Sequence, residues 1–118
     1  MQLSSGITDI HRPLVDACVN GSNKAQYKLY KLYSRAMFNL SYRMMNNREE
    51  AEDMLQEAFA EAFLKLDTFK YESTFGAWLR RIVVNKCLNQ LRLKKVDMVP
   101  AENLPFSPVE EEGEADFS

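Results

Sequence analysis

Between Pro13 and Lys95 the apolar residues recur at steps of three and four, and no stretch keeps an alternating period of two for long. The pattern predicts an all-α chain. Pro13 suits a first helical position and Asn20-Gly21 is a helix-ending pair, which together bound a short first helix burying Leu14, Val15 and Cys18. Ser22 or Asn23 can cap a second helix with Tyr30, Tyr33, Met37, Leu40 and Met44 along its apolar line, and Asn46-Asn47 breaks it. Asn47 with Glu50 three residues on is a variant of the capping box. It opens a third helix in which Ala51, Met54, Leu55, Ala58, Phe59, Ala62, Phe63 and Leu66 form one continuous stripe. Asp67 to Glu72 reads as a loop. Ser73 or Thr74 can then cap a fourth helix running to about Lys95, with Phe75, Leu79, Ile82 and Leu91 towards the core. The expected architecture is a compact bundle of about four helices, without internal repeats.

Composition adds a boundary. A chain of 118 residues, 46% hydrophobic and 27% charged, has room for one core and no second full domain. From Val96 to Ser118 there are seven acids, Pro100, Pro105 and Pro108, and no Lys or Arg. Such a stretch cannot bury enough surface to offset the entropy of ordering, so residues 96–118 are expected to be a disordered acidic linker or tail on a domain of residues 1–95. The net charge of -2 hides the asymmetry: all fifteen basic residues lie in 1–95 against ten acids, giving that part +5. A basic domain beside an acidic arm points to a polyanion partner.

Several classes of chemistry drop out. No apolar run approaches the ~18 to 20 residues of a membrane span and no secretory leader is visible, so no membrane insertion and a cytoplasmic location are expected. Cys18, Cys87 and His11 stand far apart without ligand spacing, which argues against zinc, disulfide scaffolds and histidine catalysis. The four glycines form no phosphate-binding loop. No catalytic residue, metal or cofactor is expected, and the chain is not read as an enzyme.

Three patches remain. Asp53, Gln56 and Glu57 share one polar face of the third helix, continued by the small Ala60. Acids near a helix start favour the macrodipole, but the same flat cluster suits docking of an Arg-bearing helix. The fourth helix has no acid between Glu72 and Asp97, while Arg80, Arg81, Lys86, Arg92, Lys94 and Lys95 are present. Along it Arg81, Asn85, Asn89 and Arg92 form a stripe. Asn is a poor helix former, and Asn and Arg make paired hydrogen bonds to base edges while Lys and Arg neutralise phosphates. The third patch is the aromatic and charged loop Phe69, Lys70, Tyr71, Glu72, Ser73, followed by Phe75 and Trp78, which suits stacking on an unpaired base. For Phe75 core packing is the better reading, whereas Tyr71, in mid-loop, has less reason to be buried.

The residues Asp53-Met-Leu-Gln56-Glu57-Ala-Phe59, with Phe63, Lys65-Leu66, Phe69 and Ser73-Thr-Phe75-Gly-Ala-Trp78-Leu79-Arg-Arg81-Ile82-Val-Val-Asn85, resemble region 2 of bacterial RNA polymerase sigma factors. The match is to the extracytoplasmic-function (ECF) group of the sigma-70 family and covers roughly Tyr27 to Lys95. The resemblance implies a transcription initiation factor. Asp53, Gln56 and Glu57 would contact the beta-prime clamp helices of core RNA polymerase. Phe69, Lys70, Tyr71, Glu72 and Ser73 would capture a flipped base of the promoter minus-ten element. The last helix, through Trp78, Arg81, Asn85 and Asn89, would meet the opening promoter, largely its non-template single strand, and an anti-sigma factor is a further implied partner. Lys86 and Arg92 add phosphate contacts on charge grounds.

Full members continue into region 4, which reads the minus-35 element, whereas here an acidic tail resembling the start of the interdomain linker follows. Either a truncated piece of a full member or a natural one-domain relative accounts for this. The competing reading is a helical interaction module that binds only protein, through Asp53, Gln56 and Glu57.

Overall fold

The computed structural model describes residues 8–97, and the acidic tail lies outside the described residues apart from its first two positions. Four helices run in chain order: α1 (Arg12–Val19), α2 (Asn23–Met45), α3 (Arg48–Leu64) and α4 (Phe75–Asp97), with a 3-10 turn at Leu66–Thr68 between the last two. No strand occurs among the described residues.

The punctuation follows the local chemistry of the sequence. Ser22 caps α2 by accepting a hydrogen bond from the Ala25 N–H at 3.0 Å. At the other end Asn46 closes α2 in the left-handed region (φ 54), a conformation Asn tolerates better than most side chains. Asn47 Oδ1 at once accepts from the Glu50 N–H at 2.8 Å to open α3. Two asparagines thus reverse the chain with no further linker. Thr74 Oγ1 accepts from the Ala77 N–H at 3.1 Å at the start of α4. A second cap there comes from far away in sequence: Asp9 Oδ2 accepts from the Phe75 N–H at 2.8 Å.

α2, α3 and α4 pack on one another, and α1 lies against α2. Their shared core holds Leu29, Met37 and Leu40 of α2, the α3 stripe, and Phe75, Leu79, Ile82, Val83 and Cys87 of α4. Of the expected α3 stripe every member is buried except Phe63, which is half-buried. The line expected on α2 is rotated. Tyr30, Tyr33 and Met44 are half-buried, while Ala25, Leu29, Ser41 and Met45 take the buried positions. The phenols sit at the rim because their hydroxyls need partners. Tyr30 Oη accepts from Gln56 Nε2 at 3.0 Å, and Tyr33 Oη pairs with His11 Nδ1 at 2.8 Å. On α4, Leu91 is only half-buried, and Val83 and Cys87 fill the core instead.

Ser41, the buried polar side chain of the core, donates to the Ala51 carbonyl at 3.0 Å and lies 3.5 Å from Cys87 Sγ, so burying it leaves no hydroxyl unpaired. Burial pushes the Cys87 thiol up, and its hydrogen bond with Ser41 opposes this. Gly76 marks a close crossing: a Cβ there would lie 3.0 Å from Cε1 of Tyr33.

The packing separates α3 into two faces with different consequences. Phe59→Ala, at a position 3% exposed, is expected to cost about 3 to 5 kcal/mol of folding free energy. Glu57→Ala, on the exposed face, should stay within about 0.5 kcal/mol. Urea unfolding of both variants checks this; equal losses would mean that the two faces of α3 have been exchanged.

Candidate nucleic-acid interface

The turn at Leu66–Thr68 and the loop that follows fold over the start of α4 and leave a concavity of about 320 Å³. Its lining is Thr68, Phe69, Lys70, Glu72, Ser73, Trp78 and Arg81. Six of the seven are residues singled out from sequence, drawn together from the loop and from the first two turns of α4.

Phe69 differs from the expectation of a free stacking ring. It is 8% exposed, with centroids 5.0 Å from Trp78 and 6.2 Å from Phe75. It therefore forms a floor whose edge reaches the concavity, and the half-buried Trp78 is the aromatic wall. Phe75, expected in the core, is fully buried. Lys70 and Arg81 bring positive charge to the rim, with Glu72 as the acceptor-only counterpart. A planar group with donor and acceptor edges fits such a mixture of one aromatic wall, two cations and one carboxylate.

Tyr71 departs further from the sequence reading. It is half-buried, it does not line the concavity, and its backbone is left-handed (φ 59). Its hydroxyl donates to Asp16 Oδ1 on α1, Arg12 Cζ lies 3.9 Å from its ring centroid, and Phe69 packs against it at 4.6 Å. Mid-loop position suggested exposure because the sequence does not say that α1 passes beside this loop.

Beyond the concavity the stripe continues along α4. Arg81, Asn89 and Arg92 are exposed and Asn85 is half-buried, with Arg92 Nη1 3.5 Å from Asn89 Oδ1. Lys86 is the exception among the expected phosphate contacts. It is paired with Glu61 of α3 at 2.9 Å, because its position turns it towards α3 rather than along the stripe. Lys94 is likewise held by Glu50 at 2.7 Å. Arg80, Arg81 and Arg92 form no ion pair with a described residue. Burial pushes the Glu61 carboxyl up, but its hydrogen bonds and charge attraction to Lys65 and Lys86 outweigh that and hold it below its ordinary value.

Nearer the start of α3, Asp53, Gln56 and Glu57 are all exposed. Gln56 Nε2 donates to Tyr30 Oη and to Glu52 Oε2, both at 3.0 Å, which fixes its amide at the edge of a groove between α2 and α3. That groove is lined by Tyr27, Tyr30, Phe59, Ala60 and Phe63 among others. Among the described residues no group of three or more His, Cys, Asp or Glu could hold a metal ion, and no helix is long and apolar enough to cross a membrane.

Comparison with known families matches residues 29–96 to the model of Sigma-70 region 2. The chain belongs to the Sigma-70 region 2 family. Among curated relatives of this region 2 domain, the ECF RNA polymerase sigma factor SigW of Bacillus subtilis is 38% identical over 77 residues, 65% of this chain and 41% of SigW. SigM of Mycobacterium tuberculosis, also an ECF RNA polymerase sigma factor, is 33% identical over 98 residues, 83% of this chain and 46% of its own. The ECF sigma-E factor of Escherichia coli is 33% identical over 108 residues, covering 86% of this chain and 55% of the relative. The chain thus spans about half the length of these relatives. A solved engineered region 2 of sigmaE, determined by NMR in complex with GTAAAA, superposes with a TM-score of 0.69 at 30% identity, covering 83% of this chain and all of that one. The four-helix region 2 fold expected from the motifs is the fold observed.

The environment of Tyr71 in this region 2 domain has a titration signature. Burial pushes its phenol up, the hydrogen bond and charge of Asp16 add to this, and Arg12 opposes, leaving it raised from 10.0 to about 12. A phenol harder to ionise when folded stabilises the fold fully below pH 10, and this contribution is lost as pH rises from 10 towards 12. Ultraviolet titration of the folded chain should show a late phenol near 12 that disappears in Tyr71→Phe. A Tyr71→Phe profile that loses an ordinary phenol near 10.0 and keeps the late one would refute the Asp16 contact.

Proposed function

We propose that this domain acts in transcription initiation, docking on core RNA polymerase and recognising the promoter minus-ten element by capturing an unpaired base. The observation that carries the reading is the concavity whose lining joins Lys70, Glu72 and Ser73 of the loop to Trp78 and Arg81 of α4. Its support from relatives is the engineered sigmaE region 2 solved in complex with GTAAAA.

The work assigned to the domain is binding, and no bond is made or broken. Unpairing costs a few kcal/mol per flipped base, and stacking on an aromatic wall returns about 1 to 3 kcal/mol. Trp78 supplies the wall. Lys70, Glu72 and Ser73 offer hydrogen bonds to base edges, and Arg81, Asn85, Asn89 and Arg92 follow the non-template strand along α4. Phe69 and Tyr71 support the concavity from below and behind, and Lys86 reaches a phosphate only when its pair with Glu61 opens. Asp53, Gln56 and Glu57 form the polymerase-docking face on the beta-prime clamp helices, with the α2–α3 groove beside it. An anti-sigma factor would act by covering either face. Because the charge of +5 over residues 1–95 is modest, polymerase docking supplies affinity that the DNA contacts alone lack. The cytoplasm, where polymerase and promoter are, is the location this reading requires.

Band shifts with core polymerase and a fluorescent minus-ten oligonucleotide separate the roles. Arg92→Ala should weaken all sequences alike and lower the salt slope by about 0.7 for a lost single-strand phosphate contact. Trp78→Ala or Asn85→Ala should instead narrow the gap between preferred and scrambled sequences by about 1 to 3 kcal/mol. Equal losses on both sequences would reduce α4 to a generic phosphate clamp.

The Glu61 pair makes a further prediction with the opposite sign. Glu61→Gln frees Lys86 and should tighten binding to every sequence, raising the salt slope by about 0.7 if one phosphate contact is gained. For the docking face, Glu57→Ala should impair polymerase binding while leaving the thermal midpoint in place. Normal polymerase binding by that variant would remove the docking assignment.

A further inference from the structure

Tyr71 holds a backbone conformation that an aromatic residue seldom adopts, with φ 59. What holds it there comes from outside the loop. From α1, Asp16 Oδ1 accepts the hydrogen bond of the Tyr71 hydroxyl and Arg12 places its guanidinium 3.9 Å from the ring centroid. Arg12 Nε and Asp16 Oδ2 are themselves 4.0 Å apart, one helical turn along, so cation and carboxylate form a single clasp around the phenol. From the inner side Phe69 packs on the same ring at 4.6 Å. Tyr71 itself does not line the concavity, but its chain neighbours Phe69, Lys70, Glu72 and Ser73 all do. The clasp lies before residue 29, where the match to the family model begins.

We propose that Arg12 and Asp16 are positioning residues for base selection: by clasping Tyr71 they hold residues 69–73 in the shape that receives an unpaired base. The inference rests on the base-capture reading above and goes beyond it, since neither residue lines the concavity. Without the clasp, residue 71 returns to ordinary negative φ for most of the time, because non-glycine residues occupy the left-handed region only a few per cent of the time. If the receptive loop is then populated about one-tenth of the time, apparent affinity falls about tenfold. A loop with several shapes also accepts several bases, so discrimination falls with affinity.

The test uses the full chain and two probes: single-stranded GTAAAA, and the hexamer that the parent protein enriches most strongly from a randomised single-stranded pool. Dissociation constants are read from amide shifts during titration, with thermal midpoint and amide exchange over 70–73 measured in parallel. Arg12 and Asp16 are both exposed, so Arg12→Ala/Asp16→Ala should still unfold cooperatively, losing only the stability that the Tyr71 contact supplies. It should nevertheless bind the enriched hexamer about tenfold more weakly, lose most of its preference over the pool, and exchange faster at 70–73. Arg12→Lys, which keeps a cation for the ring, should recover part of the preference.

A folded double variant with unchanged preference would overturn the clasp while leaving base capture standing. A parent protein that enriches no hexamer and shows no shifts at the concavity with GTAAAA would overturn base capture, and the clasp with it. Should the double variant fail to fold, the two single variants decide by the same ratio of affinities.

Discussion

The candidate interface depends on where α4 begins, and the ring of Phe75 fixes that point. Fully buried, it sits 5.3 Å from Tyr33 of α2, 6.2 Å from Phe69 and 5.9 Å from Trp78. Its own N–H is taken by Asp9. One residue thus ties the second helix, the loop floor and the aromatic wall to a single helix start. Displacing it would leave the loop without its floor and α4 without its distant cap. Gly76 beside it allows the close approach to Tyr33 that such a junction needs.

The helix boundaries were legible because they are local events. Ser22, Asn46, Asn47 and Thr74 act within three or four residues of themselves, and the α3 stripe needs only its own period. What could not be read is what one segment does to another distant in sequence. The rotated burial on α2 follows from Tyr30 and Tyr33 finding polar partners in Gln56 and His11, neither of which periodicity contains. The pairing of Lys86 with Glu61 and the clasping of Tyr71 by α1 are of the same kind. For the candidate site, the motif singled out a loop and a helix that the fold brings together around one concavity, while the division between residues that line it and residues that support it required the fold.

The charge of the domain is also partitioned by geometry rather than by sequence alone. Read linearly, the fourth helix is a run of six cations without an acid before Asp97. Folded, α3 lends it two carboxylates, Glu61 and Glu50, at the sides of α4 that face inward. What stays uncompensated by described residues is Arg80, Arg81, Arg92 and Lys95. Positive potential is thereby focused on a narrow track leading from the concavity, and a partner gains most from following that track.

The two-residue junction at Asn46 and Asn47 has a geometric consequence of its own. An α-helix turns by about 100° per residue, and this link has no slack to absorb an inserted or deleted residue. A change of a single residue there would swing Asp53, Gln56 and Glu57 by more than a quarter of a revolution about the axis of α3, or force the apolar stripe out of the core. The junction therefore acts as an indexing stop: it sets the bearing of one outward-facing surface of α3 relative to the concavity at the start of α4. Side chains on either surface can be exchanged with little effect on this bearing, but the length of the turn cannot.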